Sequence, residues 1–438
     1  MQLLNGPLAA PTRPAYLGFG FSSYIFAHTR IPPVLSYPVL RLIVAFVLMA
    51  VAGSTMYANV IGLKEFADEF GVTRAMATAP YMAFMCGFGL GGLIMGRAAD
   101  WWGAMIPNMV AALSVPLGFL AAAHAPNIGA LSVAMGVLAG MFGASATFGP
   151  LVADISHWFT ARRGMAVGIV ISGSYMAGAV WPPIMQHFID LYGWRDTFTG
   201  MAIFTACAMP PLVAVLYRKP PHFGIETNSV SPEVAASRPL GFSPNGLQSL
   251  ICLAGIGCCA AMAMPQVHIV AFAVDLGYAA ARGAEMLSLM LGFGIISRLT
   301  SGWISDRIGG FRTLLLGSTL QMAVLPTFLI SDTLIALYLA SAAFGLSQGG
   351  IVPSYALIAR AVFPRRDAGW RVSTSMLATL LGMALGGWMA GVIYDLTGSY
   401  TIAFANALAF NALNIAIALT LYRRARRMPD SLAVAAAA

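Results

Sequence analysis

Runs of twenty or so apolar residues follow one another from residue 40 to residue 421, separated mostly by short polar turns. Such a run fits the hydrocarbon thickness of a bilayer, which a helix crosses in about 20 residues. In that solvent the backbone must satisfy its own hydrogen bonds, so helices and closed barrels are the available spanning elements. Barrel strands alternate polar and apolar side chains; these runs do not. Of the 438 residues 59% are hydrophobic and 9% charged, against roughly 25% charged in ordinary soluble domains. An all-α membrane protein follows, with twelve transmembrane helices over 40–62, 75–97, 104–123, 129–153, 164–188, 196–217, 247–272, 283–304, 311–330, 334–359, 371–393 and 401–421.

The chain also repeats itself. Gly96, Asp100 and Gly103 make a G-x-x-x-D-x-x-G run that returns 206 residues later as Gly302, Asp306 and Gly309. Asp190 and Gly193 return 205 residues later as Asp395 and Gly398. Two anchor pairs with nearly one offset indicate a parallel duplication. The expected plan is an N-terminal tail over 1–37, a six-helix half over 38–217, a proline-rich linker over 218–246, a second half over 247–422 and a C-terminal tail over 423–438. Nineteen of the 24 Lys and Arg residues fall on the side of the tails and linker. The positive-inside rule makes that side, and both termini, cytoplasmic.

That distribution reads the net charge of +8 as membrane topology rather than nucleic-acid binding. The five cysteines lie within apolar runs and read as packing residues, with no metal or cofactor implied. Gly87, Gly89 and Gly92 match a dinucleotide-binding pattern, but no strand precedes them. Gly92 with Gly96, Gly382 with Gly386, and Gly387 with Gly391 read as helix-packing faces.

The duplicated loops resemble the loop motif of the major facilitator superfamily, between helices 2–3 and 8–9. The second copy keeps the basic Arg307 and Arg312 expected there, whereas the first has Ala104 and Met105. Asp100 and Asp306 are expected to face helix dipoles or arginines at a gate. The run from Trp158 and Phe159 through Arg162, Arg163 and Gly168, then Gly173-Ser174, Pro182-Pro183 and Tyr192-Gly-Trp-Arg195, is similar to the monocarboxylate porters and the oxalate–formate exchangers. The drug-antiporter pattern of a Gly-Pro pair in the fifth helix is absent, as are the sugar-porter motifs.

Arg298 lies within an apolar run, where its repeat mate is Gly92. An intramembrane arginine costs roughly 2.5–3.5 kcal/mol on insertion scales, so something must offset it. Its planar fork binds a carboxylate through two parallel hydrogen bonds. Snorkelling to the surface or bracing the gate is the other reading. The resemblance implies that Arg298 is the substrate-anion ligand of the eighth helix. It also marks departures: Gly294 where animal porters carry an Asp, Tyr57 where they carry a lysine, and no lysine in the eleventh span. One cation favours a monoanion. The helices that line the cavity in the superfamily add Tyr57, Asn59, Ser174, Tyr175, Gln266, Gln348 and Tyr355 as pocket candidates. Proton carriers could be His268, Asp275, Asp154, His157 or the substrate itself.

The expectation is a monomeric transporter of a small organic monocarboxylate in a bacterial-like inner membrane, coupled to a proton, rocking two halves about a midplane site. An exchanger or exporter of another amphiphile is the rival within transporters. A transport-inactive sensor and a membrane enzyme are rivals from other classes. The enzyme would need clustered His and carboxylates, which only Asp154 with His157 approaches.

Overall fold

A computed structural model describes residues 36–159, 163–218, 239–330 and 332–427. The N-terminal tail to residue 35, residues 219–238 of the linker, Arg162 and the C-terminal residues 428–438 lie outside the described residues. Twelve helices are long and apolar enough to span a membrane: α1 Tyr37–Ile61, α2 Arg74–Trp102, α3 Met105–Ala123, α4 Ile128–Trp158, α5 Arg163–Tyr192, α6 Trp194–Tyr217, α7 Pro244–Asp275, α8 Ala280–Ile308, α9 Gly310–Ile330, α10 Leu334–Val362, α11 Gly369–Thr397 and α12 Tyr400–Ala425. Several outrun the apolar stretch that predicts them. Helices α2 and α4 carry on through Asp100 and Asp154 because the backbone ladder continues after the lipid-facing residues stop.

Side chains close several helix starts. Thr73 accepts from the Met76 amide, Asn127 from Ala130 and Ser243 from Gly246, each satisfying an amide that the first turn leaves without a partner. The duplicated glycines have a stereochemical role. Gly103 and Gly309 turn the chain between α2 and α3 and between α8 and α9 at φ +83° and +80°, a region that disfavours a Cβ. Gly96 and Gly302 face open space.

Packing follows the repeat. Helix α2 lies against α4 as α8 lies against α10, α3 against α6 as α9 against α12, and α7 against α11. Two seams join the halves, α5 with α8 and α2 with α11. Small residues bring the backbones together. A Cβ at Gly386 would sit 2.7 Å from the Cα of Ala260, and one at Gly391 2.9 Å from the Cα of Ala75. The α2 face differs from the sequence expectation. Gly87 and Gly91 meet the α4 backbone, whereas Gly92 and Gly96 have nothing within 4 Å. The shift is one residue around the helix, enough to turn a glycine from the seam to the open side.

The bundle has a turn end, with Gly103 and Gly309, and an opposite, clamp end. At the clamp end a short helix, Leu63–Phe70, follows α1. Arg195 fastens it to the rest: its Nε donates to Glu69 at 2.7 Å and its terminal nitrogens to the Ala123 and Ala125 carbonyls at 2.6 and 2.9 Å. The Trp194 indole N–H also donates to Glu69. The Tyr192–Arg195 motif is thus a brace between helices.

Candidate functional site

A cavity lies between the halves at mid-depth, bounded by α1, α2, α4 and α5 on one side and α7, α8, α10 and α11 on the other. Methionine and phenylalanine supply eight of its twenty lining residues. The polar lining is Tyr57, Thr147, Ser174, Tyr175, Gln266 and Arg298. Arg298 is the one charged residue in this lining, and no carboxylate among the described residues pairs with it.

Arg298 is seated by close helix packing. A Cβ at Gly349 would come within 2.6 Å of the Ser297 carbonyl carbon, so α10 lies directly on the α8 backbone there. Ser297 Oγ donates to the Leu346 carbonyl at 2.6 Å and accepts from the Gly349 amide at 3.1 Å. One turn before Arg298, the absent side chain of Gly294 leaves room for a ring: a Cβ there would lie 2.6 Å from Tyr175 Cδ1. The Arg298 guanidinium carbon sits 5.8 Å from the centre of that ring, within reach of a cation–π contact. Where the resemblance leads one to look for an acid, this chain places a tyrosine borrowed from α5.

Of the pocket candidates, Tyr57, Ser174, Tyr175, Gln266 and Arg298 line the same cavity. Three do not. Gln348 sits behind the wall, where its Oε1 accepts from Gln266 Nε2 at 2.5 Å. Asn59 donates to the Thr55 carbonyl at 2.8 Å within its own helix. Tyr355 donates to Asn414 Oδ1 at 2.6 Å and lies 3.0 Å from the Ala254 carbonyl. It belongs to a buried network in which Asn414 and Asn411 donate to Ser318. These asparagines of α12 are core residues of the second half.

The proton candidates do not meet at the cavity. Asp154 accepts two hydrogen bonds from Arg41, at 2.6 and 2.8 Å, with both residues buried. His157 is exposed. Asp275 pairs with Arg74 at 2.9 Å across the halves. His268 is fully buried, 2.8 Å from the Gly387 carbonyl through Nε2 and 3.0 Å from the Tyr400 hydroxyl through Nδ1. A carbonyl can only accept, so in the neutral ring Nε2 carries the hydrogen and Nδ1 accepts from Tyr400. Asp100 and Asp306 are exposed and take no hydrogen-bond or ion-pair partner among the described residues, while Arg307 stacks on Trp303 at 3.4 Å. The gate contact expected of these acids is not formed here.

The polar closure lies at the clamp end, around Arg74 at the start of α2. Its guanidinium pairs with Asp275 of α7, lies 3.5 Å from the Tyr400 hydroxyl of α12 and stands 4.9 Å over the Tyr394 ring of α11. The amides of Arg74 and Ala75 both donate to the Asp395 carboxylate of α11 at 2.8 Å. This clamp escapes sequence reading, although Asp395 stands out there as the repeat mate of Asp190. A carboxylate ending one helix can cap another only when the fold brings them together.

The profile of the Major Facilitator Superfamily matches residues 42–331 and 250–436. Monocarboxylate transporter 13 of Rattus norvegicus is 26% identical over 319 residues, 72% of each chain. An uncharacterised transporter of the Major Facilitator type from Bacillus subtilis, YcxA, is 23% identical over 368 residues, 82% of this chain and 88% of its own. Among solved structures, a nucleoside transporter superposes with a TM-score of 0.67 at 13% identity, over 89% of this chain and all of its own. A bacterial homologue of the lysosomal transporter Spinster, inward-facing and occupied, gives 0.67 at 11% identity over 88% and 96%.

Proposed function

The chain belongs to the Major Facilitator Superfamily, and from that premise we propose that it carries a small organic monocarboxylate across the inner membrane together with a proton, by alternating access. One observation carries the reading: the cavity between the halves has a single charge, the Arg298 guanidinium, with no acid among the described residues to neutralise it. A fork of N–H donors in a low-dielectric wall binds a planar oxyanion pair far better than it binds water. The similarity to monocarboxylate transporter 13 supports the same substrate class. No resident cofactor is invoked, and the unit is taken as a monomer with the turn end and both termini cytoplasmic, following the Lys and Arg distribution.

Coupling is assigned to His268. Around it stand Tyr400 of α12, Arg74 of α2, Asp275 of α7, and Tyr394 and Asp395 of α11. A proton gained by His268 turns its Nδ1 into a donor and sets a second positive charge behind Tyr400, beside Arg74. That weakens the clamp and links proton entry to opening of its end.

The test is transport in proteoliposomes, driven by a pH gradient and by counterflow of a labelled carboxylate. Arg298→Ala and Arg298→Lys are expected to lose uptake by 100-fold or more while keeping wild-type elution and melting behaviour. Lysine keeps the charge and loses the fork. Wild-type uptake in Arg298→Ala refutes the assignment.

A further inference from the structure

We propose that the acid carried is a bulky apolar monocarboxylate, aryl or branched alkyl, with its charge on Arg298 and its body against a methionine–phenylalanine wall. The inference rests on reading the cavity as a carboxylate site. It goes further by asking what the rest of the lining can hold.

Most of the polar lining groups already have partners in the protein. Tyr57 OH lies 3.4 Å from the Ser174 carbonyl, Ser174 Oγ donates to Ile171 at 2.7 Å, Thr147 Oγ1 donates to Ala144 at 2.8 Å, and Gln266 Nε2 donates to Gln348 Oε1. The one charged donor set left for a ligand is the Arg298 fork, with the Tyr175 hydroxyl beside it. That is enough for one carboxylate. A second carboxylate would be buried against apolar groups with no cation to meet it, a costly placement.

The remaining wall is large and soft. Five methionines line the space with Phe84, Phe88 and Phe148. These rings continue one another, with centroids 6.2 and 5.7 Å apart, the second pair edge-on. Unbranched thioethers adapt to an irregular apolar shape and favour aromatic edges. The cavity, about 180 Å³, has room for on the order of a dozen waters. A two- or three-carbon acid on Arg298 would leave most of that wall uncovered; a phenyl or isobutyl body would cover it.

The experiment is thermal stabilisation of the purified full-length protein, titrated with acetate, lactate, succinate, 4-methylpentanoate, phenylacetate and the neutral phenylacetamide. Each buried methylene is worth roughly a fourfold gain in affinity. Half-maximal stabilisation by phenylacetate and 4-methylpentanoate is therefore expected at about 50-fold lower concentration than by acetate or lactate. Met56→Gln with Met383→Gln is expected to weaken phenylacetate about tenfold, a larger factor than for acetate. A flat series, or tighter binding of lactate or succinate, overturns the proposal. If Arg298→Ala then abolishes binding of every acid, the carboxylate site survives without the bulky substrate. If phenylacetamide matches phenylacetate, the carboxylate reading fails and the proposal falls with it.

Discussion

Asp395→Asn should loosen the clamp end. The carboxylate accepts the Arg74 and Ala75 amides at 2.8 Å each, on the first turn of α2. Hydrogen bonds to a charged group contribute about 1.5–3 kcal/mol, against about 1 kcal/mol for neutral ones. A negative charge at a helix N-terminus adds roughly 0.3–1 kcal/mol. Asparagine keeps one oxygen acceptor and loses the charge. Asp395 is exposed, so solvent screening discounts the loss, leaving about 1–2 kcal/mol, a factor of roughly 5 to 30 between closed and open populations. The assay is pulsed electron–electron distance measurement between spin labels at Asp68 and Ile335, whose side chain and residue are 67% and 74% exposed. Asp395→Asn should raise the long-distance population by that factor. Asp190→Asn is the control, because the repeat mate Asp190 accepts from Gln186 of its own helix at 2.7 Å. Unchanged distances in Asp395→Asn, or equal opening in the control, refute the reasoning.

Three further outcomes are expected. Arg41→Met leaves Asp154 buried without its partner, which costs about 3–5 kcal/mol; melting of the detergent-solubilised protein should drop sharply and recover when Asp154→Leu is added. Gly294→Ala drives a methyl into the Tyr175 ring, 2.6 Å from Cδ1, and should weaken carboxylate binding roughly two- to tenfold by moving the ring off Arg298, which ligand titration of the purified variant measures. Glu65, in the short helix outside the spans, has its carboxyl pushed above the usual range chiefly by burial, with help from the Asp68 and Asp190 charges. The folded state then binds the proton more tightly than the unfolded chain, so stability is greatest when Glu65 is protonated and falls as pH rises from the ordinary glutamate value through the raised one. Glu65→Gln should flatten that fall and raise the melting temperature at neutral pH by about 1–3 °C.

The twelve spans and the turns at Gly103 and Gly309 were legible because lipid and stereochemistry act on one residue at a time. An apolar run needs no partner to declare itself, and a left-handed turn needs only its glycine. The cavity was half legible. Arg298 announces itself through the cost of its position, and Tyr57, Ser174, Tyr175 and Gln266 share its cavity. Gln348 and Tyr355 lie at similar depth, but the Gln348 amide oxygen and the Tyr355 hydroxyl are engaged by other helices. Depth along a helix is readable from sequence, whereas rotation about its axis is blurred when apolar residues surround it. The same blur moves the α2 packing face from Gly92 and Gly96 to Gly87 and Gly91. The Arg74 clamp was hidden for another reason: its groups come from α2, α7, α11 and α12, and no local pattern joins them.

The repeat itself explains where function was placed. Rocking requires two halves that can pack alike, and the backbone supplies this with matched helix pairs and matched turns. Binding and latching require the opposite, a difference between the halves. At the site the difference is Arg298 on α8, against Gly92 on α2 with open space around it. At the closed end, Asp395 reaches across to the first amides of α2, while the start of α8 at Ala280 has no side-chain cap and Asp190 turns back on its own helix. Charge is thus concentrated on the α2–α11 seam. The α5–α8 seam is held instead by the Ser288 hydroxyl on the Ala179 carbonyl and by the Tyr175 ring against Arg298. A seam held by close packing without an ion pair keeps its energy through a small rotation, whereas a carboxylate on a helix end loses most of its energy once water enters. The α2–α11 seam is therefore expected to open first at the clamp end, with the α5–α8 seam, which carries Arg298, as the line about which the halves turn.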